Sequence, residues 1–165
     1  MSKELTLQDM YVEHLKDIYN AEQQIIKALP KIIKTVTSSE LKNALSSHLK
    51  ETENQANRIE QIFSSLDASP RGKKCVGMEG LLEEGKEAMK KNVSSPELMD
   101  STLIGGCQKV EHYEICEYKD LIHMAELLGD SKAVGLLQKS LQEEEAADQK
   151  LAKLGENMIS PEAVM

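Results

Sequence analysis

The chain has 165 residues, 20 Lys and Arg against 28 Asp and Glu, and a formal net charge of −8. An acidic surface of this kind repels a polyanionic duplex and excludes nucleic-acid binding through a basic face. With one Phe, four Tyr and no Trp, the chain is poor in the residues that strands favour. It is expected to fold as a single all-α domain over residues 1–165, with a core of Leu, Ile, Val, Met and Ala.

Three Cys with no CxxC spacing (Cys75, Cys107, Cys116) read as free thiols in a reducing cytoplasm. No apolar run approaches the ~18 residues that would span a bilayer, so no membrane role is expected.

A first helix is expected over about residues 7–36, opened by the capping pair Thr6 and Asp9. Pro30 falls inside its apolar stripe and should kink or shorten it. A second helix is expected over 37–66, opened by Thr37-Ser-Ser-Glu40 and closed by the turn residues after Asp67. A long connection follows, carrying a short amphipathic helix over about 78–91. The third long helix (95–128) opens at Ser94-Ser-Pro96-Glu97 and ends at Gly129. The fourth (130–155) opens at Asp130, and the tail beyond it is expected to be loose. Two hairpins joined by a long crossover predict an antiparallel four-helix bundle.

Each long helix carries an acid where its apolar stripe should continue. These are Glu22, then Glu51 with His48 one turn before it, then Glu111 with Glu114, then Glu144 with Asp148. Each lies about 14–17 residues past its cap, roughly 21–26 Å along the helix at ~1.5 Å per residue. Mid-helix residues share one level whichever way their helices run. The bundle should therefore gather these acids in a central layer.

A buried carboxylate cluster needs protons, cationic partners or metal ions, because like charges repel and desolvation is costly. No Lys or Arg falls close to these acids on the same stripes by this reading. Metal or shared protons remain, and oxygen ligands suit Mn, Fe, Mg or Ca. The candidate ligands are Glu22, Glu51, Glu111, Glu114, Glu144, Asp148 and His48, around two Fe or Mn ions. Gln55 and Tyr118 lie near enough to bond a ligating carboxylate. Gly105 and Gly106 suggest a close helix approach, at a dimer seam.

The stretches YVEHLKDIYNAEQQIIKALP, HLKETENQANRIEQIF, VEHYEICEYKDLI and LLQKSLQEEEAADQKL resemble the YciF/YciE-type ferritin-like proteins of bacterial stress responses. The resemblance runs over nearly the whole chain. It implies a ferritin-like fold, a homodimer and a di-metal site, without assigning a reaction. The wider ferritin-like pattern places Glu-x-x-His on the second and fourth helices. Here Asn54 and Ala147 stand where those His would be, so the site should be richer in oxygen than an ordinary di-iron oxidase. Two functions are expected to compete. One is a di-metal redox protein acting on peroxide or O2. The other is a metal-free dimeric module acting through a protein partner.

Overall fold

The computed structural model describes residues 4–159. Among them the chain forms helices α1 (Leu7–Thr35), α2 (Ser39–Ser65), α3 (Val76–Met89), α4 (Pro96–Leu127) and α5 (Ser131–Glu156), and no strand. Four long helices pack in the cyclic order α1–α2–α5–α4, each against two neighbours, while α3 lies across α1 and α4. This is the ferritin-like antiparallel four-helix bundle with a long crossover. Residues 160–165, on which most of the expected loose tail falls, lie outside the described residues.

The helix ends follow the chemistry of their caps. Thr6 and Asp9 form a reciprocal capping box at α1. Ser95 caps α4 with Pro96 in the first turn, and Asp130 caps α5. Two expectations are corrected. Helix α1 does not end early: Pro30 sits inside it and the helix continues to Thr35. Pro30 is exposed while Leu29 and Ile32 are buried on either side, so core packing holds the turn and the proline ring faces outward. The N-cap of α2 is Ser38, not Thr37, because Thr37 is held by another element.

That element is the start of α4. Asp100, 1% exposed, accepts hydrogen bonds from the Thr37 N–H (2.9 Å), the Thr37 hydroxyl (2.9 Å) and the Ser38 N–H (2.7 Å). One carboxylate thus serves the positive end of α2 and ties it to α4. The contact also fixes the topology. Helix α4 begins at the end of the bundle where α1 stops, whereas α2 finishes at the opposite end. The connection must travel the length of α2, about 40 Å for a helix of this size.

Helix α3 spans part of that distance and is stapled at its start. Cys75 is its N-cap, with Sγ accepting from Met78 N–H. The Cys75 N–H donates to Asn20 Oδ1 (2.8 Å), and Gln24 donates to the Cys75 carbonyl (3.0 Å). Tyr113 of α4 reaches Cys75 Sγ and Asp17. A Cβ on Gly77 would stand 2.7 Å from the Tyr113 ring, so only glycine lets α3 approach α4 there. The helix starts two residues before its apolar pattern does, because a cysteine cap is a weak sequence signal.

Replacing Asp100 by Ala should lower stability by about 2–3 kcal/mol, the scale of lost hydrogen bonds to a buried charge. Urea unfolding of the variant tests this, and an unchanged midpoint would show that the clamp is dispensable.

Candidate metal centre

Four helices each deliver side chains to the bundle centre. On α4, a spacing of three residues puts Glu111 and Glu114 on one face. Helix α1 supplies Glu22, α5 supplies Glu144 and α2 supplies His48. All five are buried, with Glu22, Glu114 and Glu144 at 0% exposure. His48, Glu111, Glu114 and Glu144 each present one ligand atom, and these atoms all lie within 4.8 Å of one another. Glu22 adjoins the group beside Glu114 and Glu144, and accepts a hydrogen bond from the Tyr118 hydroxyl.

Besides Glu22, two further candidates stand outside that group. Glu51 has 39% of its side chain exposed, and its carboxylate accepts from His48 Nδ1 at 3.4 Å. It therefore orients the imidazole, whose Nε2 faces Glu111 Oε1 at 3.3 Å. Asp148 is turned aside. It accepts from Gln108 Nε2 (3.0 Å) and meets His112 Nε2 (3.1 Å). One turn of α5 beyond Glu144, its side chain points along α4 instead of inward.

One cation near the site was missed. Arg58 on α2 is 7% exposed and grips Glu143 through both guanidinium arms, at 2.7 and 2.8 Å, with Ser140 Oγ at 3.0 Å. Gln55 donates to the same Glu143 carboxylate at 3.1 Å, not to one of the central acids. The expectation that no cation lies near the acid stripe is thus corrected. Arg58 falls one turn before Ile62 on the buried face of α2, which was the available signal. Its charge is satisfied by Glu143, not by the central carboxylates. Arg58→Met should cost about 1–3 kcal/mol by leaving the Glu143 charge with only the Gln55 amide, and Arg58→Lys should recover only part of that because it lacks the two-armed fork. Chemical denaturation of the pair checks both statements.

Burial shapes the protonation of the centre. It pushes the carboxyls of Glu22, Glu111 and Glu114 well above the usual carboxylate range, and the nearby Glu144 pushes the same way. The Tyr118 hydrogen bond pulls Glu22 partly back. Tyr118 is itself raised well above an ordinary phenol by burial and by the charge of Glu22. At His48 burial favours the neutral ring, but Glu51, Glu144 and Glu143 outweigh it and the net shift is upward.

These shifts carry a sign for stability. A group raised in the folded state stabilises fully below its unfolded value, about 4.3 for Glu, and loses that contribution as pH rises through its folded value. His48, also raised, acts in the same sense. Metal-free protein should therefore melt at a lower temperature as pH rises from about 5 to 8, and Glu114→Gln should flatten the slope. A melting temperature that climbs over that window would contradict this account.

Several of the buried atoms have no hydrogen-bond partner among the described residues. They include Glu22 Oε2, His48 Nε2, Glu111 Oε2 and both carboxylate oxygens of Glu114 and Glu144. Unpaired buried oxygens are costly, and a divalent cation satisfies several at once. One imidazole among carboxylates fits a hard or borderline ion such as Mn or Fe. The residues fit a metal.

Residues 6–164 match the family described as Domain of unknown function (DUF892). The chain belongs to the DUF892 family. Protein YciF of Escherichia coli K12 is 40% identical over 159 residues, covering 96% of this chain and 95% of that protein. The crystal structure of the E. coli stress protein YciF superposes with a TM-score of 0.89, covering 94% of this DUF892 chain and 98% of the other. YcfI from Rhodopseudomonas palustris, which has been given a provisional structural role, is 41% identical with a TM-score of 0.87, covering 92% and 97%. The protein XCC3681 from Xanthomonas campestris shares the fold at 21% identity, with a TM-score of 0.75 over 92% of each chain. The resemblance read from the sequence is thereby established. Among the described residues of this DUF892 member, no helix is long and apolar enough to cross a membrane.

Proposed function

We propose that this protein holds two Fe or Mn ions at the bundle centre and uses them in redox chemistry on peroxide or O2, in the setting of a stress response. The observation that carries this reading is the set of unpartnered buried carboxylate oxygens around His48. Glu111, Glu114, Glu144 and His48 would form the principal ligand set, with Glu22 extending it toward a second ion. Glu51 would hold the imidazole from outside. A bound Fe or Mn pair would supply electrons and Lewis acidity.

The protein's own part is to orient and to exclude water. Glu51 fixes the His48 ring so that Nε2 faces inward. Tyr118 holds a proton against Glu22, keeping it next to the ligand set. Ile18 and Ile25, one turn on either side of Glu22 on α1, are both buried and cover the site from that helix. Burial of this kind strengthens every charge interaction inside it.

A second reading is a metal-free module that acts through a partner, as a homodimer. The upward shifts of Glu22, Glu111 and Glu114 favour it, since carboxyls that retain protons can coexist without metal. Metal analysis separates the two. Protein purified after growth with Fe or Mn should carry about two ions per chain, and Glu144→Gln should lose most of them. Metal-free protein that takes up neither ion under anaerobic addition would sink the redox reading and favour the second.

A further inference from the structure

A groove of about 840 Å³ opens between α1, α3 and α4, within the range of about 300–1,000 Å³ common for small-ligand clefts. Its walls are apolar, formed by Ala28, Ile32, Leu82, Leu103, Cys107 and Val110. Gly105 and Gly106 lie along it, and a Cβ at either would meet no heavy atom within 4 Å. Two adjacent glycines in a helix cost about 1 kcal/mol each relative to Ala. Here they bring no helix closer within the chain; their effect is to leave the groove open.

The charges around the groove are unbalanced. Its three acids are each taken by a lysine: Glu83 by Lys86, Glu84 by Lys109 and Glu87 by Lys90. Lys27, Lys31 and Lys91 also line it, and none of them has a carboxylate within 4.0 Å among the described residues. A chain of net charge −8 thus presents three unpaired cations beside an apolar cleft.

The inner end of the groove leads toward the centre. Ala28, Ile32, Leu82, Cys107 and Val110 line both the groove and a second cavity of about 20 Å³, whose other walls include His48 and Glu111. His48 is 5% exposed, and its Nε2 faces Glu111 Oε1 at 3.3 Å with no hydrogen bond made to it among the described residues. These shared side chains form an apolar partition between groove and centre, and a cleft that ends on it suits a slender chain better than a helix about 10 Å across.

We propose that the groove binds a single-chain fatty carboxylate. Its head group pairs with Lys27, Lys31 and Lys91, and its tail runs past Gly105 and Gly106 toward Leu82 and Cys107. Resting on the metal-centre reading above, this makes a fatty acyl chain the class of molecule delivered to the centre. Binding itself does not need the metal.

Palmitate titrated calorimetrically into the metal-free full chain, below its micellar concentration, tests the proposal. One molecule should bind per chain, and hexadecanol should bind about tenfold more weakly for want of the charged head. Gly106→Trp should weaken palmitate binding by about tenfold or more without lowering the melting temperature, since the indole fills the groove and removes a helix glycine. The double variant Lys27→Glu, Lys31→Glu should weaken palmitate but not hexadecanol, and Lys139→Glu on α5 should change neither. Palmitate binding that survives both Gly106→Trp and the double lysine change overturns the proposal, as does an absence of binding to the wild type. A dimer that dissociates on Gly106→Trp, with no palmitate bound, would instead identify a second copy as the occupant and overturn it too. Palmitate binding without metal uptake would sink only the metal reading, and metal uptake without palmitate binding would sink only this one.

Discussion

Burying carboxylates in the middle of a helical bundle creates a charge problem that the rest of the molecule is arranged around. Glu22, Glu111, Glu114 and Glu144 occupy the level where apolar side chains would otherwise meet. Each must stay neutral or find a counter-charge. The helices that carry them are long and tightly capped, so the acids stay at one level. The nearby cation, Arg58, is taken by Glu143, while Tyr118 satisfies one oxygen of Glu22 and Glu51 holds the outer nitrogen of His48. What is left is a compact set of carboxylate oxygens with no hydrogen-bond partner among the described residues, beside an imidazole nitrogen that faces only Glu111.

The same constraint explains the long crossover. Acids on parallel and antiparallel helices meet at one level only if every helix is centred there. The Asp100 clamp fixes α4 against the α1–α2 turn, and so sets that level for the second hairpin. The crossover has to bridge whatever distance remains. Helix α3 fills part of it and packs mainly against α1 and α4. It therefore leaves an open cleft on that side, where a fifth full-length helix would have closed the surface.

Much of this architecture was legible in the sequence. The long helices rest on caps and stripes of period 3.6, and Glu22, Glu111, Glu114, Glu144 and His48 were visible as polar residues interrupting those stripes. Tyr118, placed by spacing near Glu114, meets Glu22 instead, through an approach of α1 to α4 that no local pattern encodes. Arg58 escaped notice because an arginine on an apolar face reads as a surface residue until a bidentate partner on another helix is seen. Asp148 shows the same limit of local pattern. Its spacing from Glu144 puts it on nearly the same face, but Gln108 and His112 of α4 decide which way it turns. Local spacing fixes where a side chain starts, and long-range partners fix where it ends.

The order of His48 and Glu51 along α2 has an effect beyond ring orientation. The imidazole lies inside and the carboxylate lies at the boundary, with 5% and 39% of the two side chains in contact with water. Glu51 accepts from Nδ1 while Nε2 looks into the centre. The pair thus joins a carboxylate at the surface to the buried cluster through a single imidazole ring. The charge on the ring is therefore set from two sides at once, by an acid in contact with water and by acids that are not.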